Sequence, residues 1–165
     1  MNTKINEPTE AVKKFVSLYE DNAGDISNAS PLFLKKLRKE AIKAFRETGF
    51  PKKKNENYKY THLEPFFNGT LTTRFFPRKL EFDLRDMFRC DIPELNTRVL
   101  LLLNGFFYKT EDESLVTQED GIIYGSLKEA VKQYPNLVEQ YMGKTADHKK
   151  DPLVALNTAY AQDGM

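Results

Sequence analysis

The sequence predicts an α+β fold, with N-terminal helices packed on a small, mostly antiparallel sheet and further helices C-terminal to it. Three observations carry this expectation. Apolar residues recur at helical spacing through the N-terminal third, short apolar runs around an Asn-Gly pair follow, and helix-start signals return from Ser126 onward. At 165 residues the chain can bury about two thirds of its unfolded surface in one core. A single domain is expected over residues 1–165, helical over about 1–50 and mixed α/β over about 51–165.

The first helix is read over residues 9–19, where Val12, Phe15, Val16 and Tyr19 fall at i, i+3, i+4 and i+7 and share one face. Its end is expected near Gly24. Ser30-Pro31 opens a second helix, the serine hydroxyl accepting from an orphan backbone N–H and the proline occupying a turn where its missing donor costs nothing. Leu34, Leu37, Ala41, Ala44 and Phe45 form its inner stripe, with Lys35, Lys36, Arg38, Lys39 and Lys43 as a solvated face. Gly49 ends that helix as a positive-φ cap, Phe50 folds back onto the last turn, and Pro51 blocks continuation. Tyr58 and Tyr60 stand two apart, so extended backbone places both rings on one side as an edge of a buried seam, with Lys59 and Thr61 opposite.

Downstream the period changes. Residues 71–76 and 80–84 read as short strands broken by Pro77, and residues 99–103, Asn104-Gly105 and residues 106–108 read as a hairpin on a type I′ turn. Residues 122–124 add a strand before the capping box of Ser126 and Glu129, which opens a third helix carrying Leu127, Ala130, Val131 and Tyr134. Pro135 ends it, a short helix over residues 137–142 stops at Gly143, and a polar loop over residues 144–150 leads to the helix start Asp151-Pro152. Leu153, Leu156 and Tyr160 line the inner face of that last helix. Asp163-Gly164 then reads as a turn that launches a strand, so the protein is expected to continue beyond it.

Lys plus Arg (25) nearly cancels Asp plus Glu (24), which argues against a surface built throughout for nucleic acid or an anionic membrane. Cys90 is the only cysteine, so neither an internal disulfide nor a multi-thiolate metal site is available, and the N-terminus does not read as a signal peptide. A cytoplasmic location is expected. The longest uncharged run, residues 99–108, is about half of what a membrane-crossing helix needs, so no membrane partner is expected.

Lys52, Lys53 and Lys54 beside Tyr58 have the makings of a nucleic-acid or anion site, lysines on phosphates and the ring beneath a base, yet three lysines without an arginine cluster read first as a solvated loop. His62 and His148 lack a second ligand at metal spacing. Cys90 sits between Arg89 and Asp91 with no recognisable base. Glu81, Asp83, Asp86 and Asp91 are spaced as exposed strand and turn positions, Glu111, Asp112 and Glu113 form an acidic loop, and the glycines make no phosphate-cradling motif. No catalytic, cofactor or metal residue is expected, and the chain is not read as an enzyme.

Gly49-Phe50-Pro51, followed by Glu56, Tyr58, Lys59, Tyr60, Thr61 and Leu63, resembles the G-[FL]-P-x4-E-x-[WY]-[KR]-[YF]-T-x-L signature of the SufB/SufD family of iron–sulfur cluster assembly proteins, with tyrosine where tryptophan is commonest. The SufD branch fits best. RVLLLLNGFFY (98–108), GIIYGSLKEAV (121–131) and DPLVALNTAYAQDGM (151–165) match the family in the same order, so the resemblance spans roughly residues 30–165.

The resemblance implies an N-terminal module preceding a right-handed parallel β-helix and a C-terminal helical segment, in a scaffold subunit that meets SufB-like and SufC-like partners through those absent parts. It implies no cofactor in this fragment; an Fe–S cluster, and FADH2 as a further candidate, belong to the parent complex, where SufC hydrolyses ATP. Gly49, Pro51, Glu56, Tyr58, Tyr60, Thr61 and Leu63 take a structural role on this reading, and Lys52, Lys53, Lys54 and Lys59 are the candidate interaction residues. The alternative is a small nucleic-acid or anion-binding module using Lys52 to Lys54.

Overall fold

The computed structural model describes residues 7–52, 55–61, 63–69, 73, 75–77, 100–108 and 114–165. Its class is α+β, with N-terminal helices, two small antiparallel sheets and C-terminal helices. The strand expected over residues 80–84 lies outside the described residues, as do residues 71, 72 and 74 of the one expected over 71–76.

Helix α1 spans Glu10–Ile26 and buries Ala11, Val12, Phe15, Val16, Tyr19 and Ile26. It runs past Gly24, the expected stop. Ile26 is buried, and burying a large aliphatic side chain outweighs the roughly 1 kcal/mol that a helical glycine costs. Helix α2 spans Leu32–Thr48 and buries Leu34, Arg38, Ala41, Ile42 and Phe45. Two expectations fail here. Ser30 does not cap the helix: Pro31 stands at the N-cap and makes no side-chain cap bond, and the Ser30 hydroxyl instead accepts from Arg38 Nη1 at 2.7 Å, a charge-assisted bond stronger than the cap it replaces. Arg38, placed on the solvated face by its charge, is 1% exposed.

The buried guanidinium has a structural task. Nε and Nη2 both donate to the carbonyl of Ala161, at 2.9 and 2.6 Å, directly behind helix α6 (Pro152–Tyr160). A cation at a helix C-terminus meets the negative end of the macrodipole and satisfies a carbonyl that has no partner within the helix. Ala155 and Ala159 are fully buried, and these small side chains let α6 pack on α2 more extensively than any other element pair among the described residues.

The main described core lies between α1, α2 and α6. Tyr160 donates its hydroxyl to the Phe15 carbonyl at 2.5 Å and packs edge-on against Phe15 and Tyr19. Burial pushes its phenol well above the ordinary tyrosine range, with Tyr19 adding to the effect. The short helix α3 (Glu64–Phe67) brings Phe67 to stack on Phe50 at 4.6 Å and to meet Phe15 edge-on.

The Asn-Gly hairpin forms as expected: β1 (Leu101–Leu103) pairs with β2 (Phe106–Tyr108), Leu103 opposite Phe106, and Asn104 and Gly105 take φ of 51° and 83°, as a type I′ turn requires. A second hairpin joins β3 (Leu115–Thr117) to β4 (Ile123–Gly125). The sequence reading located β4 to within a residue and missed β3. Helix α4 (Leu127–Gln133) starts on Ser126, whose hydroxyl accepts from the Glu129 N–H at 3.2 Å. The Glu129 carboxylate turns to Lys132 at 2.7 Å. Helix α5 spans Pro135–Tyr141.

Candidate functional site

The segment from Gly49 to Leu63 follows from its local chemistry. Gly49 leaves α2 at φ 66° and ψ −167° while its N–H still donates to the Phe45 carbonyl at 2.8 Å. That conformation suits glycine alone, and a Cβ there would also meet a Val12 methyl at 3.3 Å. Phe50 is thereby turned onto Phe45, ring centroids 5.1 Å apart and edge-on. Pro51 is half-buried behind it and Lys52 is exposed. The Lys52 carbonyl accepts from the Asn55 N–H at 2.9 Å, and the Asn55 side chain accepts from Asn57 N–H at 3.1 Å, which starts the 3-10 turn Glu56–Tyr58.

Lys53 and Lys54 lie outside the described residues, as do His62, Cys90 and the acidic positions Glu81, Asp83, Asp86, Asp91, Glu111, Asp112 and Glu113. Lys59 and Glu56 are exposed and approach to 3.7 Å, with the Lys59 ammonium 5.8 Å from the Tyr60 ring centre. Thr61 is exposed and its N–H donates to the Tyr58 carbonyl at 3.0 Å. Leu63 is half-buried and leads into α3.

The two tyrosines do not form a shared edge. The segment winds as a 3-10 turn, so residues two apart diverge around its axis instead of alternating as in a strand. Tyr60 is 93% exposed. Tyr58, in contrast, is half-buried and donates its hydroxyl to Asp151, 2.7 Å from Oδ2 and 3.0 Å from Oδ1. Burial, and after it the hydrogen bond to Asp151, push the Tyr58 phenol up to about 12. It stays a neutral donor at physiological pH. Asp151 Oδ1 also accepts from the N–H groups of Leu153 and Val154, at 2.8 and 3.1 Å. One carboxylate therefore caps α6 and fastens the signature segment to it.

Among the described residues no group of three or more His, Cys, Asp and Glu side chains gathers, and no helix is long and apolar enough to cross a membrane. His148, in the loop expected to be polar, is buried, and its Nε2 has no hydrogen-bond partner among the described residues.

The arrangement fastens distant segments of the chain to one another, and it coincides with a family match. The family described as the SufBD protein N-terminal region matches residues 9–165. The chain belongs to this family. It is similar to an iron–sulfur cluster assembly SufBD family protein of Arabidopsis thaliana, 33% identical over 61 residues, or 34% of this chain and 13% of the relative. A Synechocystis member is 39% identical over 46 residues, 28% of this chain and 10% of its own length. A chloroplastic Arabidopsis thaliana member is 34% identical over 47 residues, 28% of this chain and 8% of the relative. These alignments thus span about a tenth of the curated relatives. No solved structure matches the chain.

Within this SufBD N-terminal region, three residues of structural weight escaped the sequence reading. Arg38 carried a positional signal, since it lies four residues after Leu34 and four before Ile42, on the buried stripe. Asp151 was read as a helix cap, with no sign of its bond to Tyr58. Asp163 reads in the sequence only as part of a turn. Its carboxylate instead accepts from Phe107 N–H at 3.1 Å, the Ser126 hydroxyl at 2.8 Å and Lys128 N–H at 3.0 Å. The segment that follows α6 is thereby tied to both β2 and the start of α4.

Proposed function

We propose that this chain works as the N-terminal module of a SufD-like scaffold subunit in iron–sulfur cluster assembly, with a structural and interaction role and no chemistry of its own. Membership of the SufBD N-terminal region family over residues 9–165 supports the assembly context. The observation that carries the structural role is the bond from Tyr58 to Asp151, which joins the signature segment to the cap of α6. On this reading Gly49 and Pro51 set the exit from α2, Tyr58 supplies the fastening, and Glu56, Thr61 and Leu63 shape the turn between them. The exposed Lys52 and Lys59, together with Lys53 and Lys54, are the candidate contact residues.

The Fe–S cluster and FADH2 belong, in this proposal, to the parent complex, and the partners are SufB-like and SufC-like subunits met outside residues 1–165. A cytoplasmic location is part of the same proposal. Affinity capture of the endogenous protein through this module, with intact-mass and partner identification by mass spectrometry, tests it. Co-purification of SufB-like and SufC-like subunits with a species much heavier than 19.1 kDa supports the reading. Capture of nucleic acid in their place favours the alternative module built on Lys52, Lys53 and Lys54.

A further inference from the structure

We propose that the cavity between the α1–α2 corner and α4 binds a small phosphate-type oxyanion, held by Arg38, Lys128 and Lys132. The cavity measures about 270 Å³, and its walls include Ser30, Arg38, Phe106, Lys128 and Lys132. Its volume accommodates inorganic phosphate or the phosphate end of a small monoester.

The main argument is the charge of Arg38. The side chain is 1% exposed, and among the described residues no carboxylate pairs with it. The Ala161 carbonyl and the Ser30 hydroxyl accept three of its N–H groups. Both acceptors are neutral, so they satisfy hydrogen bonds without cancelling the charge. A guanidinium has five N–H donors and keeps its proton in proteins. Two donors, one on each terminal nitrogen, are therefore left without an acceptor among the described residues. Burial lowers the proton affinity of Arg38, offset in part by Tyr19.

The part of the lining contributed by α4 adds to the same field. Lys128 and Lys132 reach the cavity from successive turns of α4. Lys128 has no side-chain partner among the described residues, and the contact of Lys132 with Glu129 is of the exposed kind that holds a charge weakly. Asp25 is the acidic side chain among the described lining residues. Three cations and one carboxylate among the described lining residues leave an excess of positive charge that a dianion matches.

The site is separate from the signature segment, so its test is independent of the scaffold reading. Inorganic phosphate and, separately, glycerol 3-phosphate are titrated into the 165-residue chain at fixed ionic strength, by calorimetry and by ¹H–¹⁵N NMR of backbone amides and of the Arg38 Nε–H. Saturable binding that moves the Arg38 Nε–H resonance is expected. The double variant Lys128→Gln/Lys132→Gln should retain the fold, verified by its thermal melt, and bind about tenfold more weakly or worse. Lys43→Gln, on the exposed face of α2 and outside the cavity, should bind normally. Tighter binding of the ester identifies phosphate monoesters as the ligand class; tighter binding of the free ion identifies inorganic phosphate. The proposal is overturned by absence of saturation, by a shift that leaves Arg38 unmoved, or by equal affinity in the folded double variant.

Discussion

The Tyr58 hydroxyl donates to both carboxylate oxygens of Asp151, a residue 93 positions downstream, while the same carboxylate caps α6. This is a long-range tie made by two side chains that each have a local duty as well. Tyr58→Phe keeps the ring and removes only the donor, so it should cost about 1–2 kcal/mol, less than a fully buried bond to a charged group because the site is partly open to water. Urea denaturation measures this. The pH dependence has a definite sign. The folded-state phenol titrates near 12, above an unfolded tyrosine near 10, so its stabilisation is complete below about pH 10 and is lost as pH rises towards 12. Tyr58→Phe should remove that part of the alkaline loss; an unchanged alkaline limb would contradict the coupling.

Arg38 and the Ala161 carbonyl form the second long tie, from the middle of α2 to the exit of α6. Arg38→Met retains most of the side-chain volume and leaves that carbonyl without its donors. A loss of about 2–3 kcal/mol is expected, the cost of a buried polar group left unsatisfied. Arg38→Lys should recover only part of it, because a point charge cannot reproduce the two-pronged contact. Equal stability of the Met variant and the parent in thermal and urea unfolding would show that this tie contributes nothing.

Asp163 joins three donors from two elements, and its removal should be felt at each. Asp163→Ala is expected to destabilise by about 2–3 kcal/mol. The sharper reading is local: hydrogen exchange at the Phe107 and Lys128 amides, which donate to this carboxylate, should speed up more than at Ala155, whose amide bonds to the Asp151 carbonyl within the α6 cap. Uniform acceleration at all three would mean global loss of stability without a local tie.

Legibility in the sequence followed the range of each interaction. The apolar spacing of α1 and α2, the Asn-Gly turn, the Ser126 cap and the Asp151-Pro152 start are written within a few neighbouring residues, and each forms at its expected place, although α1 runs past Gly24 and Ser30 does not cap α2. Arg38 misleads because its charge argues for the surface while its position argues for the core. Its place between Leu34 and Ile42 on the stripe marks it as inward, but only the distant Ala161 carbonyl explains why a cation can lie there. The bond from Tyr58 to Asp151 and the three donors to Asp163 depend on chain segments far apart in sequence, and no local pattern encodes them. Strand β3 is three residues long and too short to show alternation.

Phe50 and Tyr60 separate the two ways of reading the signature. Both are aromatic and both stand in the motif, yet Phe50 is buried against Phe15, Phe45 and Phe67, whereas Tyr60 is 93% exposed and meets the Lys59 ammonium at 5.8 Å. Phe50→Ala should therefore cost about 3–5 kcal/mol through the cavity it leaves. Tyr60→Ala should fall within about 0.5 kcal/mol of the parent, since an exposed cation–π contact of that length contributes little. If the two variants lose comparable stability in the same denaturation series, Tyr60 is core and the turn geometry of residues 56–60 is wrong. If only Phe50 is costly, the exposed tyrosine and its lysine are free for contact with a partner, and capture of SufB-like subunits by the Tyr60→Ala protein becomes the direct assay of that surface.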